Sequence, residues 1–179
     1  MEVREITDER GRRVATKRAD GPDEAARLRR EADLLEVAAH PGLVELVGLG
    51  DGAEVELRTV WVGGPSLAAA DPLDVEEVAG VVAATASTLA DLHAVGLVHG
   101  AVEPSHVVLD EDGRPVLCGL GSGGLAGEQG GAGAGVLDPS ADVAGLGAVL
   151  RFLLARASGR VRGAGADALR QLAIRSSGP

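Results

Sequence analysis

The only lysine of the chain, Lys17, stands among 16 arginines, so its position is more informative than that of any other basic residue. It ends the segment Val14-Ala15-Thr16-Lys17, whose alternation predicts a strand with Ala15 and Lys17 on one face. Glu31 follows on a predicted helix, roughly 60° from Leu28 around the helix axis and at the edge of its apolar stripe. Glu31 can therefore point inward from a partly covered position. On the residues alone, each of the two can equally be a solvated surface charge.

Three of the four histidines and the single cysteine come next among the residues that could catalyse proton transfer or bind a metal. His93 and His99 are six residues apart, and Cys118 stands alone, which is not the spacing of a zinc site. His106 lies close to Glu103 and could hold a metal or a proton, or it could simply fill a loop. The sequence therefore predicts no structural metal site.

The segment Gly119-Leu-Gly-Ser-Gly-Gly124 matches the pattern G-x-G-x-x-G of dinucleotide-binding folds. That chemistry needs a helix directly after the glycines, to receive the pyrophosphate at its N-terminus. Residues 125–135 are instead rich in glycine and alanine and cannot begin such a helix. We interpret the segment as a loop.

The composition sets broad limits on what these residues can do. Of the 179 residues, 57 are alanine or glycine, and Trp61 and Phe152 are the only aromatic ones, so the core must be built from valine, leucine and alanine. The net charge of −10 repels the phosphates of nucleic acids, which excludes them as partners.

Location is predicted from the lone Cys118 and from the distribution of charge. A single cysteine cannot form an intrachain disulfide, which favours a reducing, cytoplasmic compartment. The longest uncharged helix-like stretch, between Glu77 and Asp91, has thirteen residues. A membrane span needs roughly 20. The charged N-terminal residues also differ from a secretory leader.

The first third of the sequence predicts a small β-rich unit with one helix. We expect a hairpin over 3–19, a helix from Asp20 to His40-Pro41, and two or three short strands. These strands are predicted at 43–49, 53–57 and 59–62, because glycines separate and end them. We place a boundary between two lobes at Gly63 to Asp71.

The remaining residues predict a mainly helical unit. Its most regular helix begins at Asp74, with Glu77 placed for a capping box, and keeps an apolar period to Gly96. A second hairpin is expected at 107–109 and 115–118, followed by a glycine-rich loop over 119–135. Two more helices are predicted, at Asp142 to Ala157 and at Ala166 to Ile174. The fold class is therefore α+β, with units at 1–64 and 65–179.

The order of these elements and motifs resembles the eukaryotic-like serine/threonine protein kinases of bacteria, in their actinobacterial form. Val14 to Lys17 looks like the strand motif V-A-I-K, whose lysine binds ATP phosphates, and Glu31 falls where the partner helix supplies its glutamate. The resemblance therefore implies an ion pair between Lys17 and Glu31 that braces the strand against the helix. Thr59 would be the gatekeeper, followed by the hinge beside the adenine. The other similar segments are His40 to Val44, Gly64 to Leu67, Leu89 to His93, Gly96 to Gly100, Ala126 to Glu128 and Asp142 to Gly147. The resemblance implies a bilobal kinase-like fold with a shortened, mainly helical second lobe.

The departures from the family concern its catalytic groups. Where the family reads H-R-D, this chain reads His99-Gly100-Ala101, so a methyl group stands in place of the catalytic carboxylate. Gly119 replaces the metal-binding aspartate of D-F-G, and Glu103 and His106 replace the lysine and asparagine of the catalytic loop. The sequence begins at what resembles the second strand, so we expect the first strand and the glycine-rich loop to be missing. The resemblance thus implies a truncated pseudokinase without catalytic or metal-binding residues.

A vestigial nucleotide pocket is also implied by the resemblance. Ala15 would cover it from above, Val108 from below, and the backbone from Val60 to Val62 would form the hinge, with Lys17 and Glu31 at the phosphates. No cofactor would be required, and ATP or ADP would bind weakly, without Mg²⁺. We expect the partner to be an unidentified protein, because the acidic surface favours basic or apolar patches.

Two other interpretations remain open from the sequence. In the first, the chain is an active or atypical serine/threonine kinase in which Glu103, Asp110 or His106 substitutes for the lost groups. In the second, it is a decayed gene product with marginal stability and an exposed apolar face on the helix that begins at Asp142.

Overall fold

The computed structural model describes residues 3–130 and 135–157, which form a mixed α+β architecture of three α-helices and small antiparallel sheets. The α+β prediction is thereby confirmed. The helices are α1 (Pro22–Val37), α2 (Val75–Ala94) and α3 (Pro139–Arg156). The strands are β1 (Val3–Thr7), β2 (Arg13–Arg18), β3 (Leu46–Asp51), β4 (Val55–Val60), β5 (Gly63–Ser66), β6 (Leu97–Val98), β7 (Val107–Asp110), β8 (Pro115–Leu117) and β9 (Gly124–Leu125). The helix predicted at 166–174 lies outside the described residues.

The first sheet has the strand order β1-β2-β4-β3, and all its pairs are antiparallel. The predicted hairpin is present, and the alternation along β2 buries Val14 and Thr16. Lys17 lies opposite Leu57 of β4, and directly paired residues share a face of the sheet. Because Leu57 packs against Leu28 of α1, Lys17 is on the face that the helix covers.

Helix α1 begins close to its predicted start and ends before the predicted His40-Pro41. Pro22 occupies its first turn, where the missing N–H costs no hydrogen bond, and Asp23 and Glu24 place negative charge at its positive end. The helix ends at Val37. The apolar side facing β4 buries Leu28, Ala32 and Leu35, as the period predicts.

The strands after α1 differ from the prediction. Residues 53–57 and 59–62 were expected as two strands, but Val55 to Val60 form one, because Arg58 is an outward residue in a continuous alternation and not a break. The strand expected from Leu43 begins at Leu46, and Leu43 makes only an isolated bridge to Leu117 of β8.

The second part of the molecule packs around α2 and α3. The capping box at the start of α2 is confirmed: the Asp74 carboxylate accepts the Glu77 N–H, and the Glu77 carboxylate accepts the Asp74 N–H. The hairpin β7-β8 is also confirmed. The core shared by these elements is built from valines, leucines and alanines, among them Val78, Leu89, Leu92, Val107, Leu117, Val149 and Leu150.

Three predicted boundaries change. The segment assigned as the boundary between lobes contains β5, which pairs with β7. The glycine-rich loop contains a 3-10 helix at Leu120–Ser122 and the strand β9, which pairs with β6. Helix α3 begins at Pro139, because Asp138 caps it through the Ser140 N–H.

None of the helices in the described residues is long and apolar enough to cross a membrane.

Asp74→Ala is expected to lower the free energy of unfolding by about 1 kcal/mol, because it removes the side-chain acceptor of the capping box. The measurement is urea denaturation followed by circular dichroism. Asp71→Ala is the matched control, since Asp71 is exposed and lies before the helix. Equal stability of the two variants would contradict this assignment of the cap.

Candidate functional site

The predicted pair of Lys17 and Glu31 is present. Lys17 Nζ donates to Glu31 Oε1 over 2.7 Å, and the two side chains are only 12% and 3% exposed. The alternative of two solvated charges is therefore wrong. The same Oε1 atom accepts the backbone N–H of Gly119 over 3.1 Å. One buried carboxylate oxygen thus connects β2, α1 and the segment that follows β8.

Helix α1 holds that segment through a second residue, Arg30. Its Nε donates to the carbonyl oxygen of Gly123 over 2.5 Å, and its Nη2 lies 2.7 Å from Glu128 Oε2. Glu128 also accepts the N–H of Leu125, and these hydrogen bonds, that from Leu125 first, lower the pKa of its carboxyl. Residues 119 to 128 are therefore bound to the helix at both ends.

A cavity of about 370 Å³, which we call the cleft, lies beside the Lys17–Glu31 pair. Five of the six residues predicted for a nucleotide pocket line it. These are Ala15, Lys17, Val60, Val62 and Val108. Glu31, the sixth, does not line the cleft, but it accepts a hydrogen bond from Lys17, which does. Two larger depressions, of about 910 and 640 Å³, contain none of the six.

The lining of the cleft is chemically mixed. The residues from Val60 to Gly64, between the end of β4 and the start of β5, form part of it. Lys17, Ser105 and Cys118 contribute polar side chains. Burial raises the pKa of the Cys118 thiol to about 11, so the thiol is protonated and a poor nucleophile at neutral pH.

A second buried carboxylate, that of Asp142 on α3, organises the loop that begins at His99. Its Oδ2 atom accepts the N–H of His99 and its Oδ1 atom accepts the N–H of Gly100, each over 2.8 Å. His93 of α2 donates from Nε2 to Oδ2, also over 2.8 Å. Asp142 is fully buried, so three donors are needed to stabilise its charge.

Both ring nitrogens of His99 form hydrogen bonds with the backbone. Its Nδ1 accepts the N–H of Ala101 over 3.3 Å, and its Nε2 donates to the carbonyl of Cys118 over 3.1 Å. This network assigns the proton of the neutral ring to Nε2. Burial lowers the pKa of His99 to about 4, although the charge of Asp142 opposes the shift. His99 is therefore uncharged at neutral pH.

The position of Gly119 has no room for a side chain. Its φ is +82°, in the left-handed region, and a Cβ atom there would lie 2.9 Å from Cδ2 and Nε2 of His106. The His106 ring is fixed by a hydrogen bond from Nδ1 to the carbonyl of Ala101, 2.8 Å long. The imidazole thus occupies the space into which an aspartate at position 119 would project.

Glu103 and Asp110, two of the residues that could substitute for the lost groups, have partners in their own loops. Glu103 Oε1 accepts the hydroxyl of Ser105 and lies 3.7 Å from His106 Nε2. Asp110 accepts the N–H groups of Asp112 and Arg114 in its own turn. Across residues 3–130 and 135–157, no three His, Cys, Asp or Glu side chains are grouped so that they could hold a metal ion.

The structural roles of Asp142, His93 and Arg30 were not predicted from the sequence. A signal existed for Asp142, because it lies on the same helical stripe as the buried Val149 and Leu153, where an acid must find buried donors. Nothing in the spacing indicated His93 or Arg30, whose partners are 49 and 93 residues away.

Comparison of the chain with models of known protein families and with curated proteins finds no match.

Lys17→Ala is expected to lower the free energy of unfolding by about 3 kcal/mol, because it leaves the buried Glu31 without its cation. The double variant Lys17→Ala/Glu31→Gln should be more stable than Lys17→Ala, since the neutral amide oxygen can still accept the Gly119 N–H. Urea denaturation measures both. Arg18→Ala is the control on the same strand, because Arg18 is exposed and its ion pair contributes little. A double variant no more stable than Lys17→Ala would contradict this account.

His99 should also make stability depend on pH. Its pKa is 6.5 in the unfolded chain and about 4 in the fold, so the unfolded state binds more protons between these values. Stability from His99 is therefore complete above pH 6.5 and falls, by about 3 kcal/mol, as the pH is lowered to 4. Urea denaturation over this range should give a smaller pH dependence for His99→Gln than for the wild type. Equal pH dependence would show that His99 is not buried as a neutral ring.

Proposed function

We propose that the chain is a catalytically inactive member of the protein-kinase-like superfamily, a pseudokinase that acts as a regulatory or scaffolding module for a protein partner. On this proposal the β-rich part and the mainly helical part correspond to the two lobes of a kinase-like fold. The cleft between them retains weak nucleotide binding at most. The observation that carries the proposal is the Lys17–Glu31 pair at the cleft, combined with the lack of a carboxylate at Ala101 and Gly119.

The spatial grouping of the motif residues supports the kinase-like part of the proposal. Lys17 and Val108 are 91 positions apart in the sequence, yet both line one cavity together with the residues from Val60 to Val62. Lys17 contacts Glu31 on the helix where the family places its glutamate. The order of short motifs and the cavity that they line are independent observations that agree.

The inactive part of the proposal is supported by charge and by space. Phosphoryl transfer requires a group that orients the attacking hydroxyl and cations that neutralise the phosphates. Ala101 has only a methyl group at the first of these positions, and at the second the His106 ring fills the space beside Gly119. Of the possible substitutes, the Asp110 carboxylate is already bound to the N–H groups of its own turn.

The acidic surface supports a protein partner over a nucleic acid. A net charge of −10 repels phosphate backbones and attracts basic surfaces. A partner with basic or apolar contact residues fits this charge, and we place the protein in the cytoplasm, where a lone cysteine remains reduced.

The test is incubation of the purified protein with ATP labelled at the γ-phosphate, with Mg²⁺ or Mn²⁺ and generic acceptor substrates. We expect no transfer of label to the protein or to the acceptors, because Ala101 and Gly119 stand where the family has its two catalytic carboxylates. Lys17→Ala, checked for folding by circular dichroism, separates transfer by this chain from transfer by a contaminant. Label transfer by the wild type that the folded variant loses would overturn the proposal.

A further inference from the structure

A groove with a volume of about 910 Å³ lies between the second half of α1 and β3, and we call it the α1–β3 groove. Val37 follows the lining residue Glu36 on α1 and is 80% exposed, the highest value of any large apolar side chain in the described residues. An open apolar surface of this kind is typical of a contact site. The apolar lining residues are Ala32, Leu35, Ala39, Pro41, Leu43, Val44, Leu46, Val47 and Leu49.

The charged groups of this groove are acidic. Asp33 and Glu36 line it from α1, and Glu45 lines it from the position before β3. In the part of the chain that the structure describes, none of these three carboxylates has an ion-pair partner, and no lysine or arginine lines the groove. Among the described lining residues the one other titratable side chain is His40, which is bound to Asp91. The groove therefore attracts positive charge.

One wall of the α1–β3 groove is an open sheet edge. β3 is last in the strand order β1-β2-β4-β3, and within the described residues it pairs only with β4. Alternate residues of such an edge strand direct their N–H and C=O groups away from the sheet. The pairing with β4 shifts its register between Leu46 and Gly48 and is regular from Gly48 to Asp51. This regular part can accept a further strand through main-chain hydrogen bonds.

The two edge strands of the sheet differ in their protection against another strand. β1 has neighbouring charges at Arg4 and Glu5, which oppose strand addition. β3 has no charged residue from Leu46 to Gly50, although all five of these residues are partly exposed. Gly48 also leaves space, because its φ is not positive and a Cβ atom there would have no neighbour within 4 Å. Such a glycine is typical of a place where another backbone approaches closely.

We infer that the α1–β3 groove binds an extended, basic segment of a partner protein, which adds a strand to β3 and places arginine or lysine side chains beside the three carboxylates. The inference rests on the proposed function and extends it, because it assigns the surface that binds the protein partner and the chemistry of the partner's contact segment. A second copy of this chain does not fit, since its own β3 edge would bring three more carboxylates to the same place.

Selection of peptides tests the chemistry of the occupant. A phage-displayed library of random short peptides is selected on the immobilised full chain, and the binders are synthesised with a fluorescent label. Fluorescence anisotropy then gives their dissociation constants. We expect the binders to combine arginine or lysine with apolar residues, and their binding to weaken as the salt concentration is raised.

A charge reversal tests the assigned surface. Glu36→Lys should weaken binding of the selected peptides about tenfold, because it replaces attraction by repulsion inside the groove. Glu36 is exposed in the last turn of α1, where a cation is favourable, so the variant should fold. Glu9→Lys is the matched control, since it makes the same change in the exposed turn between β1 and β2, outside the groove. It should change the constants by less than about twofold.

Methylation of the peptide backbone tests strand addition. Each N–H of a selected peptide is replaced in turn by N–CH₃, which removes one donor and leaves the side chains unchanged. In an added strand only alternate N–H groups point toward β3. Binding should therefore be lost at every second position and retained at the positions between them.

The outcomes separate this inference from the proposed function. It would be overturned if no peptide bound the folded wild type, if the binders had no excess of basic residues, or if the methylation series lacked a period of two. Equal effects of Glu36→Lys and Glu9→Lys would also overturn it. So would a dimer, detected by analytical ultracentrifugation, that dissociates when a selected peptide binds, because the occupant would then be a second copy. Transfer of label from ATP would instead overturn the proposal of an inactive protein and leave this docking surface in place.

Discussion

The structure depends on a carboxylate, that of Glu31, held away from water between a lysine and a backbone N–H. Glu31 accepts from Lys17 on β2 and from Gly119 after β8, so its charge is compensated only when the sheet, the helix and this segment are assembled together. A buried charge that loses one donor is strongly destabilising. The interaction therefore specifies how the parts fit together more than it adds to stability. The cleft exists because this arrangement leaves a space beside the pair.

Asp142 is a second buried carboxylate whose charge is compensated by donors from other parts of the chain. Its two oxygens accept the backbone N–H groups of His99 and Gly100, and His93 completes its surroundings. Glu31 thus fixes the backbone at Gly119, and Asp142 fixes it at His99 and Gly100. The two places are joined by the hydrogen bond from His99 Nε2 to the carbonyl of Cys118. The backbone of the site is therefore organised by two buried acids, Glu31 and Asp142.

Elements that rest on local signals could be predicted from the sequence. The capping box at Asp74, the hairpins and the buried face of α1 follow from periodicity and end residues, and the structure agrees. The Lys17–Glu31 pair could be anticipated from the resemblance of Val14 to Lys17 to the strand motif V-A-I-K, whose lysine pairs with a glutamate on the next helix. The inward position of Asp142 follows from its helical stripe, but its partners on α2 and in the loop after β6 do not follow from any local pattern. The predicted break at Arg58 is wrong because the alternation continues through it, and pairing with both β2 and β3 holds Val55–Val60 as one strand.

On the proposed function, inactivity is a property of the packing around Gly119 and not only of single residues. Gly119 takes a left-handed conformation under the His106 ring, and that ring is bound to the carbonyl of Ala101. An aspartate introduced at position 119 would require a strained backbone and displacement of the imidazole, which would break the link to Ala101. An aspartate at position 101 alone would still lack a metal-binding partner. The glycine, the histidine and the alanine therefore support one another, and under the proposed function the Lys17–Glu31 pair keeps a structural role without phosphoryl transfer.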